Sequence, residues 1–157
     1  MFSRLSLSAL LLAFAVSASA DDLQGQASII DGDTLEIHGE RIRLHGLDAP
    51  ESSQACDLAA KSWPCGRRAA LALADLIGDD VVRCAARGKD RYGRTIAACS
   101  VRGQDINAWL VREGWAVAYV KYSSDYVDAE AAARAAGRNL WSGPFVMPEE
   151  HRRKRQR

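Results

Sequence analysis

Two aspartates, a glutamate and two arginines are the side chains here whose types and spacing could do chemistry. Asp33 lies in IIDGDTLEI (29–37). Asp48, Glu51 and Arg43 lie in RIRLHGLDAPE (41–51), and Arg94 closes DRYGR (90–94). Two carboxylates held close together repel unless a positive charge stands between them. A hard divalent cation with oxygen ligands, Ca2+ or Mg2+, answers that need. Two carboxylates leave most of about six to eight ligand positions to a backbone carbonyl, waters and substrate oxygens. Such an open cation can polarise a phosphoryl oxygen. Glu51 follows Asp48-Ala49-Pro50, where proline stiffens the loop and holds a carboxylate just past the cation, in place to accept a proton from water. Each residue alone also has a plainer reading. Asp-Gly is commonly a turn, Arg43 could be a solvated partner of Glu36 across a hairpin, Glu51 a surface acid, and Arg94 a charge flanking a turn.

The elements that position these groups read as strands first. Gln26–Ile30 is short and partly apolar; Thr34–His38 and Arg41–Leu47 alternate, with a tight turn expected at Gly39-Glu40. That turn pairs residues summing to about 79, which sets Asp33 opposite Gly46 with Asp48 at the same end. Leu35, Ile37, Ile42 and Leu44 then share the buried face; Glu36, Arg41, Arg43 and His45 share the other. After a loop from Asp48 to Pro64, Gly66–Ile77 reads as a helix stopped by Gly78. Val81–Ala86 and Thr95–Val101 flank the DRYGR turn as a hairpin. Asp105–Glu113 is a short helix, Trp115–Val120 a fifth strand, and Asp125–Ala136 an Ala-rich helix capped by Ser123 or Ser124. The fold class is therefore α+β, mainly β: a five-stranded β-barrel with about three helices at its ends.

The chain has 157 residues, 48% of them hydrophobic and 26% charged, which suits one globular domain and excludes disordered or collagen-like chains. Its net charge of +1 excludes nucleic-acid binding by bulk charge alone, so any anion must be held by placed groups. Charge is unevenly spread: Asp21 to Ala55 contains eight acids and two bases, and the basic excess follows. Residues 1–20 combine Arg4, an apolar run from Leu5 to Val16 and the ending Ala18-Ser19-Ala20, the pattern of a cleaved signal peptide. That predicts an exported protein, periplasmic or secreted, with no membrane association after cleavage. Four cysteines in an exported chain predict disulfides, paired Cys56–Cys65 and Cys84–Cys99. The second pair lies directly opposite in a hairpin centred between Arg91 and Tyr92. No Cys-x-x-Cys or neighbouring His pair supports zinc.

Taken together, IIDGDTLEI, RIRLHGLDAPE, DRYGR, NAWLVREGWAVAY (107–119) and AEAAARAAGRNLWSG (129–143) resemble the staphylococcal nuclease (thermonuclease) family, in that family's order, over about residues 26–143. The resemblance implies an OB-fold barrel and a Ca2+-dependent phosphodiesterase acting on DNA and RNA. It implies Asp33 and Asp48 as carboxylate ligands of one Ca2+, and the Ala49 carbonyl as a main-chain ligand where the family often has threonine. It implies Glu51 as general base, Arg43 and Arg94 as phosphate-holding arginines, and Asp31 as an outer acid near the cation. Tyr119, with Tyr122 less directly, looks like a tyrosine of the nucleotide pocket. The disulfides are not part of the basic family pattern. The expected domains are the signal peptide 1–20, a nuclease domain 21–146 and a basic tail 147–157, acting as a monomer.

The expected reaction is in-line attack of water on a phosphodiester, with the two guanidinium forks stabilising charge on the phosphoryl oxygens. Nothing in the pattern reads base edges, so single-stranded or breathing regions are the expected substrate, with Tyr92, Tyr119 and Tyr122 as stacking candidates. Trp63, Trp109, Trp115 and Trp141 read as packing residues and the three histidines as non-ligands. The tail HRRKRQR (151–157) reads as a mobile, solvated terminus that could add phosphate contacts. Two other functions compete: a non-catalytic OB-fold nucleic-acid-binding module, and an exported structural protein stabilised by calcium.

Overall fold

A computed structural model describes residues 22–156. The signal-peptide expectation for 1–20 lies outside the described residues. The chain runs β1 (Leu23–Gly25), β2 (Ser28–Asp31), β3 (Thr34–Ile37), β4 (Glu40–Leu44), β5 (Leu47–Asp48), β6 (Cys56–Leu58), β7 (Lys61–Trp63), α1 (Cys65–Ile77), β8 (Val82–Lys89), β9 (Thr95–Val101), β10 (Gln104–Asp105), α2 (Ile106–Arg112), β11 (Val117–Ala118), α3 (Val127–Ala135), a 3-10 turn (Asn139–Ser142) and α4 (Pro148–Arg155). The class is α+β and mainly strand, as expected, and the arrangement is OB-like. It differs from the expected closed five-stranded barrel. Seven strands form one sheet in the order β1-β8-β9-β4-β3-β2, with β10 on β9, and β11 pairs β5 separately.

Alternation explains the sheet. Thr95, Ala97, Cys99 and Val101 of β9 face inward, while residues between them are half-buried. They meet Leu35, Ile37, Ile42 and Leu44 from β3 and β4, and Leu73 and Ile77 from α1. In α1 the buried residues are Cys65, Gly66, Ala69, Leu73 and Ile77, one stripe at helical spacing. A second, smaller cluster gathers Cys56, Cys65, Val117 and Leu140, with Trp63, Trp141 and Phe145 against it. Both expected disulfides are present, with Cα–Cα separations of 5.7 Å for Cys56–Cys65 and 4.1 Å for Cys84–Cys99. Cys84 and Cys99 are direct partners in the β8–β9 ladder, and a bulge between Ala86 and Gly88 moves the turn centre from between Arg91 and Tyr92 onto Tyr92.

Three expectations are corrected. The β3–β4 turn is His38-Gly39, both at positive φ (52° and 82°), rather than Gly39-Glu40. Such a turn matches strand twist. The register therefore pairs Thr34 with Arg43, and Asp33 accepts a hydrogen bond from the Leu44 amide (2.8 Å) instead of facing Gly46. A shift by two residues keeps every side chain on its expected face. Secondly, α3 has Tyr126 at its N-cap, because the Ser123 hydroxyl is already accepting from the Asp125 amide (3.1 Å). Thirdly, the tail is not free: 148–155 is a helix. Pro148 opens it, Glu149 and Glu150 occupy its first turn, and four bases fill its last, in line with the helix dipole.

Candidate functional site

The site forms where β2, β3, β4 and β5 end together. Asp31-Gly32-Asp33-Thr34 is the tight β2–β3 turn, and a bulge in β2 beside it re-aims Asp31. Gly32 is required by close approach: a Cβ there would lie 2.8 Å from the Ala49 Cβ and 2.9 Å from the Ala69 Cβ. The turn is thereby pressed against both α1 and the strand end that carries Asp48. The Ala49 amide donates to Asp33 Oδ2 (2.8 Å), and the Thr34 hydroxyl donates to Asp33 Oδ1 (3.1 Å).

Asp33 and Asp48 are 4% and 1% exposed, so their charges must be matched locally. Arg43, projecting from β4 on the same face as Thr34, lies between them. Its Nη1 contacts Asp33 Oδ1, and its Nη2 donates to Asp48 Oδ1 at 3.0 Å and to the Leu47 carbonyl at 3.3 Å. It does not pair with Glu36, which faces Arg41 at 4.0 Å. Glu51 is placed by its backbone. A Cβ on Gly66 would sit 1.7 Å from the Glu51 carbonyl, and the Glu51 amide donates to Gln54 Oε1 (3.3 Å). The Glu51 carboxylate accepts from Arg152 Nη1 at 3.0 Å. Arg94 is held by Asp90 (Nε to Oδ2, 2.7 Å) and reaches the Thr34 hydroxyl at 3.4 Å, which links it to Asp33.

Three of the five expected groups, Asp33, Arg43 and Asp48, touch directly; Glu51 joins them only through Arg152, which also holds Asp48, and Arg94 joins through Thr34. Tyr92 is exposed beside Arg94, whose guanidinium lies 5.7 Å from its ring centre. Tyr119 and Tyr122 make an edge-to-face pair at 4.9 Å on the side of the site where β11 ends. Burial, Glu149 and Asp48 raise the Tyr119 hydroxyl's pKa. The tryptophans Trp63, Trp109, Trp115 and Trp141 pack against the two core clusters, as expected.

Electrostatics separate the acids. Burial alone would raise the Asp33 carboxyl, but Arg43 and the Ala49 amide outweigh it and hold it below the usual range. Burial raises the Asp48 carboxyl, and the Arg152 fork pulls it back only in part because Asp33 opposes it. Burial first and Asp33 second push Asp31 up to about 6. Burial would lower the Arg43 guanidinium, but Asp33 raises it and keeps it charged.

The donor set suits a hard divalent cation. A guanidinium already stands between two buried carboxylates, and the surrounding donors are oxygens. Among the described residues no three His, Cys, Asp or Glu side chains converge on one point. Asp33 and Asp48 are the buried carboxylates that could hold such a cation, with Ala49 beside them and Asp31 outside them.

The sequence reading missed three residues that build the site. Thr34 bridges Arg94 to Asp33. Gln54, 1% exposed, ties the Glu51 loop to the chain entering α4 by donating to the Val146 carbonyl (2.6 Å). Arg152 grips Asp48 and Glu51. The acid-then-base order of residues 149–155 signals the helix, and no local pattern signals the Arg152 contact.

The chain is similar to known proteins. The family model described as Staphylococcal nuclease homologue matches residues 41–143. A Rhizobium meliloti succinoglycan biosynthesis protein, ExoI, is 41% identical over 80% of this chain and 68% of its own. An uncharacterized endonuclease of Haemophilus influenzae is 35% identical over 96% of this chain and 85% of its own. A micrococcal nuclease of Shigella flexneri is 35% identical over 87% and 83%. With the family model covering most of the chain, and relatives alike over most of their own lengths, the chain belongs to the staphylococcal nuclease family.

Proposed function

We propose that this chain, a hydrolytic nuclease by its family, is an exported, Ca2+-dependent phosphodiesterase that cleaves DNA and RNA as a monomer, preferring single-stranded or breathing regions. Asp33, Asp48 and the Ala49 carbonyl hold the cation, Asp31 stands outside them, and Arg43, Glu51 and Arg94 are the catalytic residues. The observation that carries this reading is the pair of nearly inaccessible carboxylates, Asp33 and Asp48, sharing one guanidinium with Glu51 and Arg94 close by. Relatives named endonuclease and micrococcal nuclease support it. Two disulfides suit an oxidising compartment, and no helix among the described residues is long and apolar enough to cross a membrane.

When bound, the cation polarises a phosphoryl oxygen. Arg43, set between Asp33 and Asp48, would present a planar fork to the phosphate. Arg94 does the same from the DRYGR turn, with Asp90 fixing its direction. Glu51 positions the attacking water and accepts its proton. Tyr92, Tyr119 and Tyr122 offer ring faces to unpaired bases, which selects flexible strands over a stacked duplex.

The test is turnover of heat-denatured DNA and of RNA with Ca2+, with Mg2+ and with chelator, by the wild type, Glu51→Gln and Arg43→Lys. Cleavage with Ca2+, its loss in chelator, and rates about 10²–10³ lower in both variants are expected. Binding of DNA without turnover under every condition would favour a binding module. A calcium-raised melting temperature with no cleavage would favour a structural role.

A further inference from the structure

Arg152 is remote in sequence from every other group of the site, yet it makes three hydrogen bonds to two of its acids. Its Nη1 donates to Asp48 Oδ1 (2.9 Å) and to Glu51 Oε1 (3.0 Å), and its Nη2 donates to Asp48 Oδ2 (2.8 Å). With Arg43 Nη2 also on Oδ1, both oxygens of Asp48 are occupied by guanidinium groups. While that fork is closed, three guanidinium hydrogen bonds compete with any cation for Asp48. A guanidinium and a divalent cation on the same carboxylate also repel each other.

The remaining polar attachments of α4 are weak. Arg155 reaches the Ser53 hydroxyl at 3.2 Å, and Glu149 faces Lys121 at 3.9 Å, both at exposed positions. Arg153, Lys154, Arg155 and Gln156 are exposed, and Pro148 is the helix's one buried residue. The helix is packed down through Pro148 and His151, whose Nε2 is buried, but its charged contacts with the site run through Arg152, while Gln54 holds the segment leading into it at Val146. That is the construction of a strap with one clasp and a fixed hinge.

We propose that Arg152 is a positioning residue that clasps Asp48 and Glu51 in the cation-free protein and is exchanged at Asp48 for the divalent cation. The exchange does two things. It keeps the acid cluster neutralised and Glu51 in place before the cation arrives. It then leaves a guanidinium on a helix end beside the phosphate-binding face. The inference rests on the cation reading above, applied to this chain's own residue.

Calorimetric titration with Ca2+, and melting temperature in chelator and in saturating Ca2+, test it on the wild type, Arg152→Gln, Arg152→Lys and Arg153→Gln. Removing a charge-assisted fork from a carboxylate should tighten Ca2+ binding about tenfold in Arg152→Gln. The same variant should melt several degrees lower in chelator, with the gap closing in saturating Ca2+. Arg152→Lys keeps the charge without the fork and should fall between. It carries the titration if Arg152→Gln does not fold in chelator. Arg153→Gln should match the wild type in every measurement. Wild-type binding of Ca2+ with no tighter binding by either Arg152 variant overturns the clasp alone. Absence of Ca2+ binding by all four proteins, with cleavage indifferent to chelator, overturns the cation reading and the clasp with it.

Discussion

Among the described residues, Asp31 is the acid of this cluster that no guanidinium reaches. It accepts the Asp33 amide (3.0 Å), but burial and the Asp33 charge raise its pKa from 3.8 to about 6. Folding thus favours its protonated form. In the cation-free protein that contribution is complete below pH 3.8 and disappears as pH rises through about 6. An asparagine keeps the acceptor and removes the charge. In chelator, Asp31→Asn should therefore match the wild type near pH 3.8 and exceed it by about 1–2 kcal/mol at pH 8, after allowance for partial exposure. Urea denaturation at both pH values measures this, and an unchanged difference between them would deny Asp31 its raised pKa. The closeness of Asp33 and Asp48 was legible in the sequence although the expected register was displaced, because a two-residue slip preserves both the face and the strand end. Arg152 was not legible, because a contact spanning about a hundred residues leaves no local periodicity and its helix lacks an apolar stripe.

Elements convert those residues into a site by crowding. Gly66 in the first turn of α1 sits against the Glu51 carbonyl, where a Cβ would approach to 1.7 Å, so backbone must move for any side chain to enter. Gly66→Ala should lower stability by about 1–3 kcal/mol. It should also lower turnover on denatured DNA well beyond what the stability loss explains, by displacing Glu51. A variant that is destabilised but turns over normally when folded would place Glu51 outside the chemistry. The strand and helix pattern was readable where alternation was strict, as in Thr95–Val101, whose bounds match the expected strand. It failed where short polar residues had competing partners. Ser123 satisfies the Asp125 amide and so leaves the capping position of α3 to Tyr126. The isolated pairs β5–β11 and β6–β7 are too short to show a period at all.

At the scale of the molecule the described residues form two apolar clusters, and each contains one disulfide. Cys84–Cys99 crosses the β8–β9 ladder inside the main core, and Cys56–Cys65 lies in the smaller cluster with Trp63, Trp141 and Phe145. The second cluster carries the loop that presents Glu51 and the segment that leads to α4, joined through Gln54. The two bridges should therefore differ in what they protect. Opening the 15-residue span with Cys84→Ala/Cys99→Ala should cost about 3 kcal/mol of global stability and leave turnover by the folded protein nearly unchanged. Opening the 9-residue span with Cys56→Ala/Cys65→Ala should cost about 2.5 kcal/mol and also reduce turnover, because the Glu51 loop and the α4 hinge lose their common anchor. Urea denaturation and cleavage assays on both double variants separate the effects. Equal loss of turnover in the two variants would mean that the site depends on total stability and not on the smaller cluster.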